Sequence, residues 1–284
     1  MTKLSIDLET FCAESLPLVG VHRYAQTAEI LLFGFAFDDD PVTVIDFTQF
    51  ESLPKDVEKA VLSEDVRKYA FNAMFERTML SHYFNKDLSA DSWWCSMVMS
   101  YYCGLPGLLD AVSKLLWPDR TDKGKMGEGK TLIRYFCMPC KPTKVNKGRT
   151  RNYPEHSPEK WKVFKEYNKR DVETERDLRK IVERLQFPKS EHYNYIVDQQ
   201  INDRGCNIDT GLVKSAINLN EEFAENSFAE LKDITKLDNP RSNTQFLSYL
   251  QKNSVLVDNV QKGTLQDVLN DIGQPDNIRK AVNL

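Results

Sequence analysis

No stretch of this chain approaches the ~18 consecutive apolar residues of a membrane span, and Met1-Thr2-Lys3 leads straight into Leu4-Ser5-Ile6-Asp7 without a signal-peptide apolar region. The expectation is a soluble, cytoplasmic protein. Cysteine is sparse and scattered, at Cys12, Cys95, Cys103, Cys137, Cys140 and Cys206, so reduced thiols are expected rather than a disulfide framework. The pair Cys137-Met138-Pro139-Cys140 lacks the second Cys or His pair of a zinc site and is read as structural. Histidines 22, 82, 156 and 192 show no ligand spacing. Gly-x-Gly-x-x-Gly is missing, which excludes the dinucleotide-binding fingerprint, and neither repeats nor low-complexity segments occur. What the 284 residues do contain, 41% hydrophobic and 28% charged, excludes disorder, collagen and coiled coil and is enough for a real core.

The net charge of −4 is unevenly placed. Between Lys114 and Arg170 lie 16 Lys and Arg against 6 Asp and Glu, a net +10 against −14 for the remainder. Within it Lys141, Lys144, Lys147, Arg149 and Arg151 share one Gly/Pro/Asn-rich loop, a pattern that suits phosphate contact as well as a solvated face.

Hydrophobic period divides the chain. Lys3 to Leu8 alternates as a half-buried strand, with Leu4, Ile6 and Leu8 on one face. Ile30 to Phe37 reads as a more buried strand, and the turn at Asp38-Asp39-Asp40-Pro41 leads into Val42 to Ile45, completing a three-strand meander. A short helix fits Pro54 to Leu62; Val66 to Phe71 reads as a fourth strand running into a helix from Ala73. Helices are expected over Trp93 to Cys103, Leu108 to Leu116, Glu128 to Phe136, and from Ser157, with Pro158 at its first position, to about Leu185. Phe187-Pro188 marks a boundary. Beyond it all is helical: one helix ending at Gly205, one capped by Asn207 to Thr210 and running to about Leu231, then Thr244 to Gln251, Thr264 to Asp271 and the C-terminus. Strands first and helices after make an α/β chain with one mixed sheet and an all-helical tail.

Three small constellations carry chemistry. In Asp7-Leu8-Glu9, residues two apart on a strand project to one face, so both carboxylates point together; they repel unless a cation lies between them. Hard divalent ions such as Mg²⁺ take oxygen ligands of this kind. At Phe71-Asn72-Ala73-Met74-Phe75-Glu76, Asn72 suits a helix N-cap and Glu76 lies one turn in, as a third site carboxylate or an ordinary surface Glu. In Tyr167-Asn168-Lys169-Arg170-Asp171, Tyr167 and Asp171 share a helical face, as site residues or as a core tyrosine with a polar neighbour.

Taken in order, these motifs resemble the proofreading 3′–5′ exonuclease of family A DNA polymerases, the tyrosine variant of the DEDD superfamily, and most of all its bacteriophage and prophage members. Val19-Gly20-Val21 with Tyr24, Ile30-Leu31-Leu32-Phe33, Gly104-Leu105-Pro106-Gly107, Lys130 to Phe136, Lys141-Pro142-Thr143-Lys144 and Gly148 to Asn152 extend the resemblance over nearly the whole chain. It implies a ribonuclease-H-like fold, a mixed sheet of about five strands flanked by helices, over residues 1–187. Residues 188–284 would be a helical linker and the start of a polymerase thumb, from Ile201 to Asp209, Asn239 to Leu247 and Lys262 to Leu265. No segment resembles the palm carboxylate motifs or the fingers helix, so no polymerase activity is expected from these residues; the remaining polymerase part would belong to the same or another chain.

The implied activity is hydrolysis of the terminal phosphodiester at a single-stranded DNA 3′ end or primer terminus, releasing a nucleoside monophosphate. Asp7, Glu9, Glu76 and Asp171 would hold two divalent cations, Mg²⁺ or Mn²⁺, and Tyr167 would orient the attacking water. Thr10, Asn72 and Phe75 would line the terminal-nucleotide pocket, with Lys141, Arg149 and Arg151 on the strand's phosphates. One departure stands out: Glu76 occupies the place of the family's usual Asp, one methylene longer. That departure motivates an alternative, a degenerate scaffold that binds single-stranded DNA or a split polymerase partner; a ribonuclease with the same site is a third reading.

Overall fold

The computed structural model describes residues 2–118 and 129–284. They form two compact units that divide after Gly205.

The first unit is built on a five-stranded mixed sheet in the order β3-β2-β1-β4-β5. Its strands are β1 (Lys3–Phe11), β2 (Glu29–Phe37), β3 (Thr43–Asp46), β4 (Arg67–Ala70) and β5 (Trp93–Cys95). β1, β2 and β3 pair antiparallel, as the meander reading requires, and β4 and β5 add parallel to β1. This is the ribonuclease-H-like sheet with flanking helices that the resemblance implies. β1 is therefore central, and the half-buried alternation expected for it does not hold. Ser5 and Glu9, on the polar face, are as covered as Leu4, Ile6 and Leu8 on the other, because the long helix α7 (Pro158–Arg184) lies against that face.

Two further elements differ from expectation. Between β1 and β2 the chain forms α1 (Leu16–Ala25), with Pro17 in its first turn and a break at Gly20, whose φ of 73° a side chain would resist. With only ten residues and an interrupted apolar stripe, it carries no clear helical period. Trp93 to Cys95, expected as the start of a helix, is instead edge strand β5, and α4 begins at Ser96 (Ser96–Tyr102). Trp93, on the strand paired with β4 and fully buried in the core, holds the backbone extended; burial on a sheet outweighs local helical preference.

The other helices follow the sequence closely: α2 (Lys55–Leu62), α3 (Ala73–Tyr83), α5 (Leu109–Leu116) and α6 (Gly129–Phe136). The expected first residue of α6, Glu128, lies outside the described residues. Ser157 precedes α7 as expected but makes no side-chain cap hydrogen bond. Among the described residues, no helix is long and apolar enough to cross a membrane.

Compactness extends past the boundary expected at Phe187-Pro188. Helix α8 (Lys189–Arg204) buries Tyr195 in the first unit's core. It is clamped to α3 by Arg77, which is almost fully buried: one terminal nitrogen donates to Leu88 O (3.0 Å) and Asp203 Oδ2 (2.9 Å), the other to Gln199 Oε1 (3.2 Å) and Asp203 Oδ1 (2.8 Å). The second unit holds α9 (Thr210–Thr235), whose Asp209 cap accepts from Leu212 N at 2.9 Å, with α10 (Asn243–Lys252), α11 (Lys262–Asn270) and α12 (Asp276–Asn283). Its own small core centres on Phe246, Leu250, Val268 and Ile278.

Arg77→Ala is expected to destabilise the first unit by about 3 kcal/mol, at the low end for a broken buried pair because Asp203 keeps some solvent. Urea unfolding would measure this, and limited proteolysis would show cleavage around α8 appearing first.

Candidate active site

The site forms where β1 meets α7. Asp7 and Glu9 leave β1 on the same face, and Asp171 comes down from the helix above them. One carboxylate oxygen from each lies within 4.8 Å of the other two. Burial raises the pKa of Asp7 well above the carboxylate range, and the Asp171 charge raises it further. Glu9 is raised in the same way by burial and then by Asp7 and Asp171. Immediately after Glu9 the pairing with β2 shifts register: Glu9 faces Leu32 but Thr10 faces Ile30, so Leu31 is an extra residue. A bulge of this kind re-aims side chains beside it.

Glu76, on the first turn of α3, is 4% exposed and its Oε2 has no hydrogen-bond partner. Its pKa is raised by burial and then by Asp7. The fourth expected carboxylate therefore faces the cluster electrostatically while lying outside the close trio. The surface-Glu alternative is excluded by its burial. Asn72 does stand at the N-cap position of α3, but in the left-handed region (φ 76°), exposed and with no side-chain cap hydrogen bond.

Tyr167 is a core residue that also reaches Asp171. Its ring stacks on Phe164 at 6.1 Å in a cluster with Leu32, Phe136 and Trp161, while its hydroxyl donates to Asp171. Burial and then the charges of Asp171 and Glu9 push the phenol far up, so it remains protonated.

A cleft of about 330 Å³ opens beside Glu9, lined by Thr10, Tyr24, Phe75, Cys137 and Met138 among others. Thr10 Oγ1 and Tyr24 Oη are 2.9 Å apart, and the Tyr24 ring lies 6.0 Å from Phe75. Thr10 and Phe75 thus line the same cleft as Glu9.

The basic residues are placed differently from one another. Lys141 is exposed, as are Lys144 and Lys147. Their loop is organised by Asn146, whose Nδ2 donates to Lys141 O (2.8 Å) and whose Oδ1 accepts from Thr143 N (2.8 Å) and Gly148 N (3.1 Å). Arg149 Nε donates to Asn152 Oδ1 at 2.8 Å. Arg151 is already engaged: it pairs with Glu29 at 2.7 Å and lies over the rings of Phe11 and Tyr153. These contacts tie Arg151 to the start of β2.

Three residues of the site escaped the sequence reading. Asn168 Nδ2 donates to Asp7 Oδ2 (2.7 Å) and to Asp7 O (3.1 Å). Cys137, read as structural with Cys140, places its thiol 3.9 Å from Glu9 Oε2 and lines the cleft. Glu175 is buried, accepts from Ser96 Oγ, and adds its charge to the fields at Asp7 and Glu76. The spacing of four from Asp171 was the available signal for Glu175; for Asn168 and Cys137 there was none.

The donor set fits a hard divalent cation. The ligand atoms are oxygens, the trio is crowded with like charge, and Glu76 Oε2 is buried without a partner. Because folding raises these carboxyl pKa values, the folded chain holds protons that the unfolded chain has released. Stability of the metal-free protein should therefore fall as pH rises from the ordinary carboxylate range through the raised values. Glu9→Gln should raise its melting temperature at pH 8 by roughly 2–4 °C, the equivalent of about 1 kcal/mol, and by less at pH 5. Calorimetry in a chelating buffer checks both; a larger gain at pH 5 would contradict the reading.

No protein-family model matches the chain. Among solved structures, Brucella melitensis NrnC with bound Mg²⁺ aligns with 73% of this chain and 90% of its own, at a TM-score of 0.45 and 13% identity. A second structure of Brucella melitensis NrnC gives 0.41 and 14% over the same shares. Among curated proteins, the DNA polymerase of Bacillus phage SP02 is 44% identical over 271 residues, 95% of this chain. Along nearly all of its length the chain is thus a relative of a bacteriophage DNA polymerase, of which it spans 41%.

Proposed function

We propose that this chain is a metal-dependent 3′–5′ exodeoxyribonuclease, the proofreading portion of a phage-type family A DNA polymerase, which releases nucleoside monophosphates from single-stranded 3′ ends. The observation that carries this reading is the convergence of Asp7, Glu9 and Asp171 within 4.8 Å in an oxygen-only cluster, Glu9 buried and the two aspartates half-buried.

Asp7, Glu9, Glu76 and Asp171 would hold two divalent ions, Mg²⁺ or Mn²⁺, which when bound supply an activated water and neutralise charge on the leaving 3′ oxygen. Tyr167, kept protonated and hydrogen-bonded to Asp171, suits orientation of that water rather than proton abstraction. Thr10 and Phe75, in the cleft beside Glu9, would receive the terminal nucleotide, with Phe75 offering a ring face to the base. Asn72, exposed at the start of α3, would bound that pocket. Lys141 and Arg149, with Lys144 and Lys147 beside them, would contact the strand's phosphates and bring no base preference.

Incubating 5′-labelled single-stranded DNA with the protein and Mg²⁺ or Mn²⁺ is expected to give a ladder that shortens from the 3′ end. RNA of the same sequence should be cut weakly. Asp7→Ala should lower the rate by more than about 100-fold, beyond the loss typical of an outer-shell change, without unfolding the protein. An active Asp7→Ala variant would end this assignment. Glu76 lying outside the close trio favours the scaffold alternative, which predicts DNA retention without a ladder in the native protein and a ladder restored by Glu76→Asp.

A further inference from the structure

We infer that Asn168 and Gly34 form a single positioning unit that sets the direction of the Asp7 carboxylate; the inference rests on the proposed nuclease reading. Asn168 sits on α7 between Tyr167 and Asp171 and is fully buried. Its amide nitrogen makes two hydrogen bonds, to Asp7 Oδ2 at 2.7 Å and to the Asp7 main-chain oxygen at 3.1 Å. Holding both ends of one residue fixes its side chain relative to its own strand. The amide orientation follows from chemistry: with the amide flipped, its oxygen would face two acceptors. Asn168 Oδ1 consequently points away and has no partner.

Room for this arrangement comes from β2. Gly34 is the cross-strand partner of Asp7, in the middle of an otherwise bulky strand where glycine has no conformational purpose and marks a close approach. A Cβ at position 34 would lie 2.5 Å from Asn168 Oδ1 and 3.0 Å from both Asn168 Cγ and Val172 Cγ2. An alanine there must push the amide off Asp7, because Asn168 is enclosed on every side. One helix thus supplies Asp171 directly and governs Asp7 through Asn168, so both carboxylates keep a common reference. Asn168 is a positioning residue: it touches Asp7 and not the reacting atoms.

The test is Mn²⁺ binding followed by electron paramagnetic resonance, alongside exonuclease rate against Mg²⁺ concentration and KM for DNA. Asn168→Ala and the isosteric Asn168→Leu should each raise the Mn²⁺ half-saturation concentration by about 10–100-fold, with KM for DNA unchanged. Gly34→Ala should give a loss of similar size. Since that loss acts through Asn168, the Gly34→Ala/Asn168→Ala double variant should bind Mn²⁺ little worse than Asn168→Ala alone. If both Asn168 variants bind Mn²⁺ like the native protein, or if the Gly34 and Asn168 losses multiply, the inference is overturned while the nuclease reading stands. Failure of the native protein itself to bind Mn²⁺ would overturn the nuclease reading and this inference together. Should Gly34→Ala fail to fold, the two Asn168 variants decide the matter.

Discussion

Like charge held in a small, partly buried volume is the constraint on which the first unit depends. Asp7 and Asp171, half-buried, meet the buried Glu9, with Glu76 and Glu175 close enough to add to the repulsion. Taking carboxylates out of water is costly unless they are hydrogen-bonded, and the donors that meet them here include neutral ones: the Asn168 amide, the Tyr167 hydroxyl and the Cys137 thiol. Neutral donors orient the carboxylates without cancelling their charge. The resulting field suits a cation.

The cost of that arrangement is spread over α7, the longest helix of the unit. One of its faces delivers Tyr167, Asn168, Asp171 and Glu175 to the sheet, and farther along Glu183 pairs with Lys3 at 2.8 Å and accepts from Tyr69 Oη at 3.0 Å. The same helix packs Trp161, Phe164, Val172 and Leu178 into three apolar clusters. Apolar burial at these positions supplies the driving force, and the polar face between them carries the chemistry. Trp161 Nε1 also donates to the buried Asp46 at 2.7 Å, tying the start of α7 to β3.

Charge density alone was a poor guide to which basic residues stay free. The loop after α6 is rich in Lys and Arg, yet its arginines also bond within the protein: Arg149 through Nε to Asn152, Arg151 to Glu29 and two aromatic rings. Its lysines remain in solvent. Guanidinium groups, planar and weakly hydrated, bury more readily than ammonium groups, so the division between anchoring and exposed charge within one loop follows side-chain chemistry.

Sequence by itself determined the sheet's meander, most helices and the three acidic constellations, because those features are written in local period and spacing: Asp7 and Glu9 two apart on a strand, Tyr167 and Asp171 four apart on a helix. It also carried the resemblance that joined them. Tertiary structure alone decided that β1 is covered on both faces, that Trp93 to Cys95 is an edge strand, that α8 packs with the first unit, and that Glu76 stands apart from the close trio. It alone brought Asn168 to Asp7 across 161 positions and Cys137 to Glu9 across 128. Such partners leave no periodic trace, since hydrogen bonding between distant segments depends on where the packed backbone places two side chains and not on what surrounds either one in the chain.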